Sequence, residues 1–264
     1  MLVAVVSQMP SPESRLIERT LALFPGVEIR SLSYPFGGQA YSDRYDIAFC
    51  VGPVSYCPCA RRRVGFLLGP VELHANFEYN VVLCGSSASA RRAIMAWGLG
   101  VKCIVLEIPV LETEAGRRRC LELERSVVIG LPWAGRCSLA YDAFVLAGGL
   151  SPVHVFACWT PPSGLSASLF TSSEFNCRVR HGGVGVYGSS VGFELLVRRH
   201  LALGGLVFCN RDKKALGDFS DFCMDVPTRR CLVDLELPDP VVVEEAKGDV
   251  EMFRDGLFSV LMKL

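Results

Sequence analysis

The chain has little lysine, no surplus of one charge and no long apolar run. Only five lysines stand beside 22 arginines in its 264 residues. No apolar segment approaches the roughly 18–20 residues of a membrane-spanning helix, so none is expected. The opening MLVAVVSQMPSPESRL lacks a basic start and holds only a short apolar run. It reads as a strand and a loop rather than a secretory signal, and a cytoplasmic location is expected. Basic and acidic residues balance at 27 each. Bulk charge therefore gives no argument for nucleic acid or an anionic membrane as partner. The runs Arg61-Arg62-Arg63 and Arg117-Arg118-Arg119 are short and read as solvated faces or loops. The P-loop and His-Glu-x-x-His motifs are absent, as are internal repeats and low-complexity tracts. Only four histidines are present.

Cysteine, by contrast, is abundant at twelve. The one close pair is Cys57-Pro58-Cys59. No second pair stands at zinc-site spacing, so no metal and no cofactor are expected. A reducing compartment would keep these residues as buried thiols. Disulfides do occur inside hyperthermophiles, and the cysteine and arginine content together fit a thermophilic source; a GC-rich genome accounts for the arginine equally well.

Half of the residues are apolar, an ordinary globular composition. The length suits one large domain or two small ones. Short β-branched runs alternate with helical patterns. Strands are expected at 2–6, 27–32, 45–51, 63–68, 80–86, 102–108, 126–131, 153–159, 184–189 and 205–209. Helices are expected at 14–24, 87–97, 138–147, directly after Gly192, and at 244–264, where Val250, Phe253, Leu257, Val260 and Leu261 share a face. Fully apolar strands between helices imply parallel sheets covered on both faces, an α/β class. The charged segment 112–125 reads as a linker. It divides an N-terminal Rossmann-like domain, 1–111, from a C-terminal one, 126–245, with the helix of 246–264 packing back on the first. Two such domains leave a cleft, and ligands of such sheets sit at the carboxyl ends of the strands.

Three stretches carry a resemblance. VYGSSVGFELLVRRHLALGGLVF, from 186 to 208, resembles the donor-site signature of the retaining GT-B glycosyltransferases related to glycogen synthase and sucrose synthase. Ser189 or Ser190, Gly192, Phe193, Ala202, Gly204 and the strand 206–208 fall in register. YNVVLCGSSASARRAIMAWGLGVKCIVLEIPV (79–110) is similar to the last unit of that family's N-terminal domain. SVVIGLPWAGRCSLAYDAFVLAGG (126–149) is similar to the first unit of its C-terminal domain.

The resemblance implies two Rossmann-like domains facing across a cleft. It also implies transfer of a sugar from a nucleotide diphosphate sugar to an unknown acceptor, with retention. Gly130 and Arg136 would lie at the diphosphate loop, and Ser189, Ser190, Gly192 and Phe193 at the helix start that receives anionic groups. Such a helix end offers free N–H groups and a positive dipole. Trp133 stands beside this loop, where stacking on a ligand and packing at a domain interface are equal readings. His74 is the N-domain histidine that would face the transferred sugar.

The sequence also departs from the pattern. The family's paired glutamates fall at Val191 and Arg199. Arginine only donates hydrogen bonds and cannot accept from a ribose hydroxyl; at 199 it would bind phosphate instead. Glu194 is the nearest carboxylate and is carried with His74 and Arg136 as a catalytic candidate, although its spacing also pairs it with Arg198 on a solvent face. The first loop, Ser7 to Pro12, holds two prolines where the family has glycines. A catalytically inactive GT-B-like binding or partner-interaction protein is the alternative. The apolar composition suits either a homo-oligomer interface or core burial.

Overall fold

The computed structural model describes residues 1–7, 11–33, 43–52, 54, 56–68, 78–110, 127–131, 153–157, 167–169, 173–180, 184–187, 194–209, 224–225 and 238–264. The chain forms two compact units, residues 1–109 with 249–264, and residues 110–248. The segment 112–125 read as a linker and the expected helix at 138–147 lie outside the described residues.

The first unit is built on six parallel strands. They are β1 (Leu2–Ser7), β2 (Glu28–Ser33), β3 (Tyr45–Val51), β4 (Ala60–Leu67), β5 (Val81–Cys84) and β6 (Cys103–Val105), in the spatial order β2-β1-β3-β4-β5-β6. The central strands are buried along most of their length. Their sequences VAVV, IAFCV and VVLC are therefore continuous apolar runs rather than alternating ones.

Helix α1 (Pro12–Leu21) starts at the Ser11 cap. Ser11 and Ser14 exchange side-chain bonds to each other's backbone N–H, at 3.1 and 3.0 Å. Pro12 stands at the first helical position, where its missing N–H costs nothing. The second proline of the first loop is thus the first residue of α1. Leu16, Ile17 and Leu21 form the buried stripe of α1. Helix α2 (Ser87–Trp97) is capped by Ser86, whose Oγ accepts from Ser89 N. It ends at Gly98, whose φ of 91° only glycine adopts readily.

Register assigns the two faces of the sheet. One face carries Val5, Phe49, Val64 and Val81 side by side, and beyond them Val51, Phe66 and Leu83. The other carries Ala4, Ala48 and Arg63, then Val6, Cys50, Gly65 and Val82. On this second face Ala90 and Ala93 of α2 pack with Leu67, Val82 and Cys84. Over the β1 and β3 part of the same face lie Val54, Cys57 and Tyr79.

The second unit has six further parallel strands: β7 (Val127–Leu131), β8 (Val153–Ala157), β9 (Ala167–Leu169), β10 (Val184–Tyr187), β11 (Leu206–Cys209) and β12 (Met224–Asp225). Their order is β12-β11-β10-β7-β8-β9. Counted from the first strand of that sheet, this is the order 3-2-1-4-5-6 of the doubly wound Rossmann sheet. Helices α3 (Ser173–Arg180), α4 (Glu194–Ala202) and α5 (Pro240–Lys247) belong to this unit. Both units are thus Rossmann-like α/β structures.

The helix expected at 244–264 is two helices. Helix α5 ends at Gly248, with φ of 74°. Asp249 then caps α6 (Val250–Lys263), its carboxylate accepting from the N–H groups of Glu251 and Met252 at 2.8 and 3.1 Å. Helix α6 packs into the first unit: Phe253 lies 6.3 Å from Phe66, and Phe24, just after α1, stacks on Phe258 at 5.2 Å. Phe253, Leu257 and Val260 are buried. Each full burial of this kind stabilises by about 1.5–3 kcal/mol before entropy is counted. The strand expected at 102–108 is shorter, covering only Cys103–Val105.

Candidate functional site

In a doubly wound sheet the chain runs outward from its first strand in one direction and then returns to run the other way. The loops on either side of the first strand diverge there and leave a crevice at the carboxyl ends. In the second unit this point lies between β7 and β10, which pair through Val127 with Val184 and Val128 with Gly185. Strand β7 ends in Gly130-Leu131, and Trp133 and Arg136 follow it in sequence. Strand β10 ends at Tyr187, and Ser189, Ser190, Gly192 and Phe193 follow it in sequence before α4 begins. The topology therefore sets the strands that feed the two loops singled out from sequence next to each other.

Arg136, Ser189, Ser190, Gly192 and Phe193 lie outside the described residues, as do His74 and Arg117 to Arg119. Gly130 is the fourth residue of β7, and Glu194 is the first residue of α4.

Helix α4 is packed on nearly every side in its second half. Val197, Arg198, Arg199, His200, Leu201 and Ala202 are all buried. Arg198, paired by spacing with Glu194 on a solvent face, is instead 2 % exposed, and its Nε donates to the Ala246 carbonyl at 2.8 Å. Ala246 sits in the last turn of α5, where helix carbonyls lack partners within the helix and the dipole favours a cation. Arg198 therefore does not lie on a solvent face, because α5 covers that side of α4.

Arg199 is 7 % exposed, and its guanidinium lies over the Phe175 ring at 5.7 Å. His200, fully buried, meets the same ring edge-on at 6.1 Å. The helix closes with the Gly204 and Gly205 N–H groups bonded to the Leu201 and His200 carbonyls, at 2.8 and 3.0 Å. Gly204 takes a φ of 80°, as this type of helix ending requires. On the neighbouring strand β8, His154 Nε2 is 3.0 Å from the Arg178 guanidinium of α3, which donates to it. Cys177, also on α3, is disulfide-bonded, so not every cysteine is a free thiol.

The first unit has its own reversal of strand order, between β1 and β3. Its crest is formed by the ends of those strands, the Ser11 cap of α1 and the turn at Gly52. Gly52 has a φ of 70°, and its N–H donates to the Phe66 carbonyl at 2.9 Å. This turn sends the chain back over the sheet, where Cys57 meets Cys50. The Cys50 thiol donates to the Cys57 sulfur at 3.0 Å. Tyr79 also hydrogen-bonds Cys50. The Arg63 guanidinium faces Cys57, while its own Nε is buried with no hydrogen-bond partner.

These neighbours drive the two thiols apart. The bond to Cys57, followed by burial, holds the Cys50 thiol well above its ordinary range. The bond from Cys50 pulls Cys57 down, and Arg63 adds to it against the effect of burial. Asn80 pins Arg63 by two bonds: Oδ1 accepts from Arg63 N at 2.7 Å, and Asn80 N donates to the Arg63 carbonyl at 2.9 Å.

Sequence spacing had not paired these cysteines, because six residues separate them and only Cys57 and Cys59 stand close. The signal available was a cysteine at each end of a Gly-Pro turn that leaves an apolar strand. The Arg61 to Arg63 run is likewise only partly a solvated face. Arg61 and Arg62 are exposed, while Arg63 alternates inward. No group of three metal-ligating side chains occurs among the described residues, and no described helix is long and apolar enough to cross a membrane. No family model and no curated protein matches the chain.

Proposed function

We propose that the protein is a glycosyltransferase of the GT-B type that takes its sugar from a nucleotide diphosphate donor. One observation carries this reading. The second unit has the strand order of the doubly wound Rossmann sheet, and its switch point lies between the two strands that lead in sequence into Gly130–Arg136 and Ser189–Phe193. The two Rossmann-like units would face each other across a cleft, with the donor on the second and an acceptor on the first.

The chemistry asked of such a site is mostly electrostatic. The leaving diphosphate needs donors aimed at the charge it develops. Arg136 and the free N–H groups at the start of α4 would supply them, with Ser189, Ser190 and Gly192 letting the chain approach the phosphates. Gly130 would keep the β7 end open to them, and Phe193 would wall the pocket. His74 would bond a hydroxyl of the transferred sugar. Glu194, at the start of α4, is the carboxylate nearest the missing pair. No metal is required by this arrangement.

The buried position of Arg199 favours a second reading, a GT-B-like protein that binds nucleotide or a partner without transfer. The side chain that stands where the family's ribose-binding acid falls is engaged with Phe175 inside the unit.

Incubation with a set of nucleotide sugars, followed by proton NMR of the anomeric signals, separates the two readings. Transfer or slow hydrolysis of one donor, with the α or β configuration kept, is the expected outcome. A donor that binds and stays intact would favour the second reading.

A further inference from the structure

Cys50 and Cys57 are set up for more than packing. Their sulfurs stand 3.0 Å apart, so a movement of about 1 Å would bring them to the ~2.05 Å of a disulfide bond. They are not equivalent: Cys50 is fully buried in β3, whereas Cys57 retains 8 % exposure on the returning segment. Cys57 faces the guanidinium of Arg63, and Cys50 is held by Tyr79. Both sulfurs are free thiols, as is the exposed Cys59 two residues on.

We infer that Cys50 and Cys57 form a redox-active dithiol that closes to an internal disulfide by exchange with small disulfides, with Cys57 as the attacking sulfur. The site does not depend on the glycosyltransferase reading. The Cys57 thiolate attacks one sulfur of the small disulfide, whose S–S bond breaks, and the first small thiolate leaves and takes up a proton. Cys50 then loses its proton and attacks the Cys57 sulfur of the mixed disulfide, expelling the second small thiolate. Two protein thiols are oxidised, and one small disulfide is reduced to two thiols. Arg63 stabilises the attacking thiolate, and the bond from Cys50 does the same until Cys50 itself is used. The closed bond ties the segment that starts at Gly52 to the end of β3, at the reversal point of the first sheet.

The test uses the full-length chain, reduced and then equilibrated in buffers with graded ratios of reduced to oxidised glutathione. Samples are quenched in acid, unfolded, alkylated, digested and mapped by mass spectrometry. The inference expects a Cys50–Cys57 link that rises in a single two-electron transition, while Cys59 stays alkylated. In Cys50→Ser, glutathione should accumulate on Cys57. Arg63→Ala should move half-maximal alkylation of Cys57 upward by roughly one pH unit.

The absence of a Cys50–Cys57 link at every ratio would overturn the inference. So would a Cys57–Cys59 link in its place, or glutathione on Cys59 with Cys57 untouched. The mapping of the unsubstituted chain decides the matter even if a variant fails to fold.

Discussion

Tyr79 shows how one side chain can hold several constraints. It covers the face of the sheet near Cys50 and bonds that thiol. Burial and the nearby cysteines push its phenol far up, and burial does the same to Cys84. Cys50 is raised as well, through its bond to Cys57 and its burial. Each of these groups must give up its proton more readily once unfolded. Between about pH 8.5 and 10.5, where free thiols and phenols titrate, the unfolded chain therefore binds fewer protons than the folded one. Stability of the first unit should be full below that window and fall as pH rises through it, with the depressed Cys57 offsetting part of the loss. Urea titrations of the reduced protein at pH 7.5 and 10 measure this; a midpoint that does not fall would contradict the assignment.

Gly65 belongs to the same residue-scale story. A Cβ placed there would meet Tyr79 ring atoms at 3.1 to 3.2 Å. Gly65→Ala should cost about 1–2 kcal/mol through overpacking of a buried ring. Denaturant melts read the loss, and an unchanged midpoint would mean that the ring shifts freely.

At the scale of elements, most of what the sequence announced came from apolar continuity and from caps. The strand at Tyr45–Val51 and the helix at Ser87–Trp97 have the bounds read from the sequence. Both are framed by clear chemistry: the apolar run Ile47–Val51 in one case, a Ser cap and a Gly stop in the other. Helix α3 and strands β9 and β12 were not legible. The helix is eight residues long and shows apolar Phe175 and Val179 only once each per turn; the strands are three and two residues long. None is long enough for a period to emerge.

The terminal helix was legible as apolar periodicity, but the period runs across a break. Gly248 and the Asp249 cap mark that break locally. Asp249→Ala removes both bonds to the first turn of α6 and should lower stability by about 1 kcal/mol. Thermal melts followed by circular dichroism check it, and a loss near zero would mean that packing of Phe253 and Leu257 alone sets the start of α6.

At the scale of the whole molecule, the α/β class and the parallel sheets were legible because βαβ alternation leaves few other arrangements. The candidate site was legible as loops and not as geometry. Gly130 and the sequence before α4 are marked by small residues, yet only the strand order shows that the strands preceding them are neighbours. The environments of Arg198 and Arg199 were not legible, since nothing in the spacing along α4 reveals that α5 and Phe175 cover it. The same limit applies to Cys50 and Cys57, which a turn brings together over the sheet.

The account rests most on a diphosphate site at the β7 and β10 ends. Calorimetric titration of the full-length protein with UDP, GDP and ADP and their sugar conjugates tests it most directly, beside the same titrations of Arg136→Ala. The account predicts a preference for one nucleoside diphosphate, weakened at least about tenfold by the substitution, which corresponds to about 1.4 kcal/mol. Absence of binding across the whole set, or binding that Arg136→Ala leaves unchanged, would contradict it.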